Sequence, residues 1–367
     1  MPTIAEQLQQ IATIKANIKA AIEAKGETVG SDAFSTYPTH IGNISGGGGD
    51  NLPAFITNTL TRLEIPSGVT SVRNYLCLNQ SALVEVVIPN TVTSIGNNAF
   101  QGCTNLVNVN IPSAVTTFGQ GAFFSCEKIT SVVIPEGVTT IPHQCFDGCK
   151  LLASVTLPST LTQIGTYSFR NCAFKNITIP SGVTRIDGNA FNGCKQLESI
   201  TIPEGCTIVD ANAFNSCVKL QSISLPSTLT TLNNNAFNTC SVLEELVFPS
   251  LLTSIQSQLC WNCYALEYID MGANIASIAA NAFSGCKGAK TIICRATTPP
   301  TVSAATFGNG TASYTGRNTY NQGVNKLYVP QGCSSAYNTS YWASVLLDPT
   351  KCGFTIAELD ANGNIPT

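Results

Sequence analysis

The sequence predicts a repeat solenoid of short parallel β-strands, turns and 3-10 helices, preceded by an N-terminal α-helix. An Ile, Leu or Phe followed by Pro recurs along the chain at a step of 23 residues, with a single step of 22. A cysteine and a phenylalanine recur in phase with it. A fixed period of this size indicates coils that bury their apolar faces against their neighbours. The pairs are Ile65-Pro66, Ile88-Pro89, Ile111-Pro112, Ile134-Pro135, Leu157-Pro158, Ile179-Pro180, Ile202-Pro203, Leu225-Pro226 and Phe248-Pro249, and Met271-Gly272 continues them.

The composition argues against several classes of protein. Charged residues make up only 11% of the chain and the net charge is −3, so the basic stripe that nucleic acid requires is missing. No run of about 18 apolar residues occurs, so we expect no membrane insertion. The first residues, MPTIAEQLQQ, lack the pattern of a signal peptide. We therefore expect synthesis in the cytoplasm and, if the protein acts on an extracellular surface, a route out of the cell that does not use a signal peptide.

The N-terminal segment, residues 1–45, predicts a helical module for attachment or oligomerisation. Thr3 and Glu6 form a capping box, and Lys25-Gly26 closes a helix that begins at Thr3 and ends near Ala24. Its apolar stripe suits self-association into a homo-oligomer, although folding back as a cap on the solenoid is the alternative. The stripe, which we expect to form the attachment surface, consists of Ile4, Leu8, Ile11, Ile14, Ile18 and Ile22.

The remaining chain divides at changes in composition. Residues 46–51 include four consecutive glycines and predict a flexible linker. Residues 52–296 carry the 23-residue repeats, residues 297–350 are expected to cap the last coil, and residues 351–367 form a tail. A cap is needed because the last coil would otherwise expose an open strand edge.

One repeat, residues 197–219, shows the expected coil. Ile200 points inward on a short strand whose Ser199 and Thr201 point outward, and Pro203 ends the pairing. A second extended piece leads to a short helical turn with Asn212 as its N-cap. Asn98, Asn189, Asn235 and Asn281 occupy the same position. The turns should bury a ladder of Phe100, Phe123, Phe146, Phe169, Phe191, Phe214, Phe237 and Phe283, with Cys77 and Cys260 standing where a Phe would be.

Nine of the 16 cysteines recur once per coil and should form a second buried ladder. Free cysteine packs as a small hydrophobe, so we expect reduced, buried thiols, with disulfides or metal as the alternatives. The ladder consists of Cys103, Cys126, Cys149, Cys172, Cys194, Cys217, Cys240, Cys263 and Cys286.

Apparent catalytic and metal motifs have an explanation in the repeat. Cys260 and Cys263 have the spacing of a redox or zinc pair, but both fall at repeat positions. Cys145, Cys149 and His143 imitate a metal cluster that has no fourth ligand. The chain contains only one other histidine, His40, so a catalytic triad or a histidine-based metal site is nearly excluded. We expect no enzyme activity, no cofactor and no metal.

The outward strand positions form the candidate binding surface. Ser, Thr and Asn dominate its centre, which suits either a merely solvated sheet face or the binding of a protein or glycan rich in hydrogen-bonding groups. If the face binds, larger side chains should be the anchors. These candidates are Arg62, Glu85, Glu245, Tyr268 and Asp270.

The repeat resembles the BspA-like branch of the leucine-rich-repeat family, whose units read roughly L-x-x-I-x-I-P-x-x-V-T-x-I-G-x-x-A-F-x-x-C. Residues 83–103 follow this pattern, and the resemblance covers about two thirds of the chain. TTPPTV from Thr297 and KLYVPQGCSSAY from Lys326, followed by Tyr341-Trp342, are similar to the terminal cap of such proteins. The resemblance implies a non-enzymatic adhesion or binding protein.

The N-terminal segment resembles a short module found at the start of phage tail and phage-like surface proteins. The matching positions are Lys25-Gly26, Val29, Phe34, Tyr37, Ile41 and Ile44. This resemblance implies a virion tail protein that recognises a protein or glycan on a host cell surface and contacts other tail proteins. A bacterial BspA-like cell-surface adhesin is the alternative, and an intracellular protein-binding scaffold is a third.

Overall fold

The computed structural model describes residues 60–303, 305–307, 325–339, 342–343, 347 and 354–366. The predicted N-terminal helix with its apolar stripe, the phage-like module and the glycine linker lie outside these residues. Within them the chain forms a solenoid of ten complete coils followed by the first strand of an eleventh, as the period predicts. Each coil supplies a short segment to each of two rows of parallel strands, and a corner of turns closes the coil.

The first row contains the strands that precede each proline. It consists of β1 (Arg62–Glu64), β3 (Glu85–Val87), β5 (Asn108–Val109), β7 (Ser131–Val133), β9 (Ser154–Thr156), β12 (Ser199–Thr201), β14 (Ser222–Ser224), β16 (Glu245–Val247), β18 (Tyr268–Met271) and β20 (Thr291–Cys294). Every pairing is parallel and joins equivalent residues of adjacent coils, such as Ile200 with Ile223. In the three-residue strands the central residue is buried or half-buried and its neighbours face outward, as the alternation predicts. The last two strands, β18 and β20, differ, because every residue after their first is buried.

The second row contains two-residue strands. They are β2 (Ser71–Val72), β4 (Ser94–Ile95), β6 (Thr117–Phe118), β8 (Thr140–Ile141), β10 (Gln163–Ile164), β11 (Arg185–Ile186), β13 (Ile208–Val209), β15 (Thr231–Leu232), β17 (Ser254–Ile255) and β19 (Ser277–Ile278). The second residue of each strand is buried. Threonine hydroxyls just before these strands donate to the preceding coil, as Thr93 Oγ1 does to the Thr70 carbonyl oxygen at 3.2 Å. These bonds tie successive coils together.

The phenylalanine ladder forms as predicted and fills the corner between the two rows. All eight rings are fully buried. Successive rings stack with centroids 5.3 to 6.0 Å apart from Phe100 to Phe237, a spacing at which each pair contributes roughly 0.5–1.5 kcal/mol beyond burial. Cys77 and Cys260 occupy the Phe position of their coils and are buried. Phe307 continues the ladder beyond Phe283 at 5.4 Å.

The asparagines that open the turns do not act as N-caps. An N-cap has extended backbone dihedral angles, whereas Asn212 has φ +59° and its equivalents lie at +50° to +60°. These residues adopt the left-handed conformation, which asparagine tolerates better than other non-glycine residues. Among the described coils this segment forms turns rather than a 3-10 helix. Asparagine therefore does mark the start of these turns, but it is favoured there for its left-handed backbone conformation and not for helix capping.

The 22-residue step is a deletion between Cys172 and the next strand. Phe174 stands where other coils have Leu or Ile, and its ring packs edge-on against Phe169 at 5.5 Å. The following segment forms no regular strand and joins the next coil through a single bridge between Asn176 and Ser199. The cysteine ladder nevertheless continues through this coil, because the Cys194 thiol still reaches the Phe169 carbonyl oxygen.

The C-terminal region caps the last coil and includes part of the predicted tail. The strand β21 (Lys326–Val329) pairs with β20, the helix α1 (Ser334–Thr339) follows, and β22 (Thr355–Glu358) pairs with β21. Because β22 lies within the predicted tail and pairs with β21, residues 355–358 form part of the cap rather than of a separate tail. The buried Tyr337 donates its hydroxyl to the Ala296 carbonyl oxygen at 2.7 Å. Among the described residues, no helix has the length and apolar character needed to span a bilayer.

Candidate functional site

The outward side of the first row presents a continuous strip of small polar side chains. Hydroxyls and amides from adjacent coils hydrogen-bond along it, as Ser199 Oγ does with Asn176 Oδ1 at 2.9 Å. Near this pair the surface forms a shallow depression that Thr178 and Thr201 also line. The exposed members of the strip are Asn108, Asn110, Ser131, Ser154, Thr156, Asn176, Thr178, Ser199, Thr201, Ser222 and Ser224. Such a strip offers donors and acceptors without net charge.

The predicted anchors Arg62 and Glu85 pair with each other at the N-terminal end of this strip. Arg62 Nε donates to Glu85 Oε2 at 2.8 Å, and its Nη2 donates to Glu64 Oε1 at 2.9 Å. Hydrogen bonds from the arginine lower the pKa of Glu64, and those to Glu64 and Glu85 raise the pKa of Arg62. The cluster is at the surface and remains accessible, but its charges are already partly neutralised within the chain.

The predicted anchors Glu245 and Tyr268 lie side by side in adjacent strands, where their Cα atoms are paired. Glu245 is exposed and Tyr268 is half-buried. Burial is the main cause that raises the pKa of Tyr268, with Asp270 contributing. Next to them Val247 exposes half of its surface. An aromatic ring, a carboxylate and an apolar side chain thus meet at one place on the strip.

Asp270 was predicted to point outward as an anchor, and the structure shows that it is buried. Only 6% of the residue is exposed, and both of its carboxylate oxygens accept hydrogen bonds from Arg295, at 2.8 and 2.7 Å. Arg295 in turn donates to the Gly363 carbonyl oxygen at 2.9 Å. Ile293, the equivalent position in the next coil, is also buried. The C-terminal cap covers this end of the strip, so Asp270 holds the cap in place rather than facing a ligand.

A second polar cluster lies on the turns that close the coils, and it was not predicted from the sequence. Arg170 binds the buried Asp147 through two hydrogen bonds of 2.9 and 2.7 Å, and its guanidinium lies 4.5 Å from the centroid of the Tyr167 ring. His143 contacts the same ring edge-on at 5.7 Å. Tyr167 adopts φ +57° at the position where five coils have asparagine. That substitution of a bulky residue into a left-handed position is the signal that could have located the cluster.

The cysteine pairs have the environment of structural thiols. Each of the nine ladder thiols donates a hydrogen bond to a carbonyl oxygen of the preceding coil, 3.0 to 3.3 Å away. Burial raises the pKa of Cys103 to about 12 and the pKa of Cys260 well above its ordinary value. A reactive or metal-binding cysteine needs the opposite shift, toward the thiolate. Fifteen cysteines lie within the described residues, and all are free thiols.

The apparent metal ligands do not converge. Cys145 and Cys149 are buried in the ladder corner, whereas His143 is half-buried and contacts Tyr167. Among the residues that the structure describes, no three His, Cys, Asp or Glu side chains are grouped so as to hold a metal ion.

Comparison with known proteins agrees with this architecture. The model of the BspA type leucine-rich repeat region, a unit of six copies, matches residues 52–175 and again 162–290. No curated protein matches the chain. Similar solved structures include a leucine-rich cell surface protein from Faecalibacterium prausnitzii, with 28% identity over 76% of this chain and 81% of that chain and a TM-score of 0.48.

Two further structures show the same kind of similarity. A leucine-rich repeat protein from Bacteroides ovatus is 24% identical over 63% of this chain and 71% of its own, with a TM-score of 0.49. The pneumococcal vaccine antigen PcpA is 17% identical over 82% and 89%, with a TM-score of 0.46. The matched repeats cover more than half of the sequence, and this chain therefore belongs to the BspA-type leucine-rich repeat family.

Proposed function

We propose that this chain is a non-enzymatic adhesion protein whose first row of strands binds a protein or glycan on a cell surface. The observation that carries the proposal is the strip of exposed hydroxyls and amides, which crosses the coils and runs into the Glu245–Tyr268 pair. A neutral strip satisfies the many hydrogen-bonding groups of such ligands, and solenoids commonly bind along extended surfaces. Tyr268 is the expected anchor, because partly buried aromatic side chains contribute most to such interfaces.

The finer form of the proposal is a phage tail protein that recognises the host. It rests on the resemblance of residues 1–45 to tail-associated modules, with the apolar stripe of that segment attaching the solenoid to tail proteins or to other copies of the chain. Membership of the BspA-type family is equally compatible with a bacterial cell-surface adhesin. The binding surface is the same in both cases, and only the carrier differs.

Cell binding by purified protein tests the binding surface. We expect Glu245→Ala combined with Tyr268→Ala to weaken binding to susceptible cells by roughly tenfold or more, as for the loss of interface hot spots. The matched control, Thr231→Ala with Ser254→Ala, changes two outward positions of the second row. Loss of binding in the control with none in the first variant would place the contact on another face and refute the proposal.

Deletion of residues 1–49 tests the attachment module. The shortened protein should remain folded and monomeric and should still bind cells, while its incorporation into virions is lost. Immunogold labelling with an antibody to the solenoid distinguishes the carriers, since it marks either tails or the bacterial surface. If the truncation unfolds the repeats, the segment is an N-terminal cap and the attachment role fails.

A further inference from the structure

One edge of the solenoid carries seven of the eight described lysines. Each of them lies between a ladder cysteine and the first-row segment that follows it, whereas the described arginines lie elsewhere. In the central coils this edge contains Lys128, Lys150, Lys175, Lys195 and Lys219, all exposed, and we call these five residues the lysine edge. The clustering matters because the chain as a whole carries a net charge of −3.

The lysine edge keeps a positive charge after its internal ion pairs are counted. Lys150 pairs with Glu127 at 2.7 Å and Lys175 approaches Glu198 at 4.0 Å. Lys219 donates to the neutral side chain of Gln196. With the described residues, Lys128 and Lys195 form no ion pair. Five lysines facing two glutamates therefore leave an excess positive charge of three along a few coils.

The residues beside the lysine edge are the neutral strip described above. Lys175 directly precedes Asn176, and Ser154 and Ser199 lie at the equivalent positions of the adjacent coils. The same surface thus combines spaced ammonium groups with hydroxyl and amide groups. Between residues 127 and 219 this edge presents no aromatic side chain on which nucleic-acid bases could stack. The chemistry fits a polymer that has both carboxylates and hydroxyls.

We propose that the lysine edge binds a linear acidic polysaccharide that runs along the solenoid axis. Since adjacent coils are about 4.8 Å apart, the edge spans roughly 19 Å from Lys128 to Lys219, enough for several sugar units. The ammonium groups meet carboxylates of the polymer, and the neighbouring Ser and Asn side chains meet its hydroxyls. This inference rests on the proposed binding function and names a ligand class for one part of that surface.

Binding of the full chain to polygalacturonate, a linear uronic acid polymer, is the direct test. The wild-type protein should bind polygalacturonate with an affinity that falls as salt rises, and it should not bind neutral dextran. Lys128→Gln, Lys195→Gln and Lys219→Gln together should reduce the affinity by roughly tenfold or more and flatten the salt dependence. The matched control, Arg73→Gln, Arg185→Gln and Lys326→Gln, removes the same amount of charge away from this edge and should bind as the wild type does.

Three outcomes would overturn the inference. They are no binding to polygalacturonate, an equal loss in both triple variants, or tighter binding to a 20-nucleotide single-stranded DNA that the lysine-edge variant abolishes. Cell binding, measured on the lysine-edge variant and on the Tyr268→Ala with Glu245→Ala variant, separates this inference from the proposed function. If Tyr268→Ala with Glu245→Ala abolishes cell binding while polygalacturonate does not bind, only the polysaccharide inference fails. If neither the lysine-edge variant nor the Tyr268→Ala with Glu245→Ala variant weakens cell binding, the proposed binding surface is wrong too.

Discussion

The Cys126 thiol donates a 3.0 Å hydrogen bond to the carbonyl oxygen of Phe100, in the preceding coil. That carbonyl also accepts the Cys103 amide at 3.2 Å. The thiol therefore uses the second lone pair of a buried oxygen, a function that alanine could not perform. The same bond recurs at every ladder cysteine, including Cys286, whose acceptor is the Cys260 carbonyl oxygen. Cysteine recurs once per coil because it combines apolar packing with a donor at this place.

Thiol titration should find few reactive cysteines in the native protein. The ladder thiols are buried, and burial raises the pKa of Cys103 and Cys194 to about 12. At pH 8 such thiols are therefore both inaccessible and protonated. Of the described cysteines only Cys333 is not buried. In denaturant the count should approach the 16 of the sequence. A count near zero in both states would show disulfides instead.

The free energy of unfolding should fall at alkaline pH. Burial raises the pKa of eight ladder thiols in the folded state, Cys126 and Cys217 among them. They stay protonated there, while the unfolded chain releases its thiol protons above a pH of about 8.5. Stability is thus full below that pH and is lost as the pH rises toward 12. Each thiol that ionises only in the unfolded chain lowers the free energy of unfolding by about 1.4 kcal/mol per pH unit.

Urea unfolding at pH 7, 9 and 10.5 measures this effect. The midpoint should decrease between pH 9 and pH 10.5. It should decrease less in a variant with Cys217→Val and Cys240→Val, because two of the ionising groups are absent. An unchanged midpoint across this range would show that burial does not keep the thiols protonated in the folded state.

The repeat period was sufficient to predict the coils, the strands and both buried ladders. Each of these features depends on equivalent positions in adjacent coils, and their spacing is visible in a single sequence. Contacts between positions that are not equivalent in the repeat could not be predicted in this way. Asp270 occupies an outward strand position, yet it is buried and paired with Arg295, which also binds the distant Gly363. Likewise, the Tyr167–Arg170 cluster joins positions whose residue types differ from coil to coil.

The left-handed turn position should respond to substitution in opposite directions in two coils. Gln258 has φ +56° where other coils have asparagine, so Gln258→Asn should stabilise the protein by roughly 0.5–1 kcal/mol. Asn212→Ala should destabilise it by about 1–2 kcal/mol, because alanine disfavours this conformation and the Asn215 amide loses its acceptor. Urea unfolding of both variants checks the pair. If Asn212→Ala is neutral, the asparagines are not retained for their backbone conformation.

Two arginine ion pairs should differ sharply in their contribution to stability. Arg295 pairs with Asp270, whose side chain is 9% exposed, whereas Arg62 pairs with Glu64 and Glu85 at the surface. Arg295→Met leaves a buried, unpaired carboxylate and removes the bond to Gly363, so we expect a loss of about 3 kcal/mol. Arg62→Met should leave the unfolding midpoint unchanged, because water replaces its exposed contacts.

A double variant distinguishes the loss of the pair from the loss of the cap. Asp270→Asn with Arg295→Met removes the buried charge, so it should recover part of the stability lost in Arg295→Met alone. Limited proteolysis adds a second measurement: if Arg295 holds the C-terminal strand in place, both variants should be cleaved near residues 359–364 faster than wild type, because each lacks the bond to Gly363. Equal losses in the Arg62 and Arg295 variants would contradict this account. They would mean that Asp270 is solvated and that the cap does not cover the end of the binding strip.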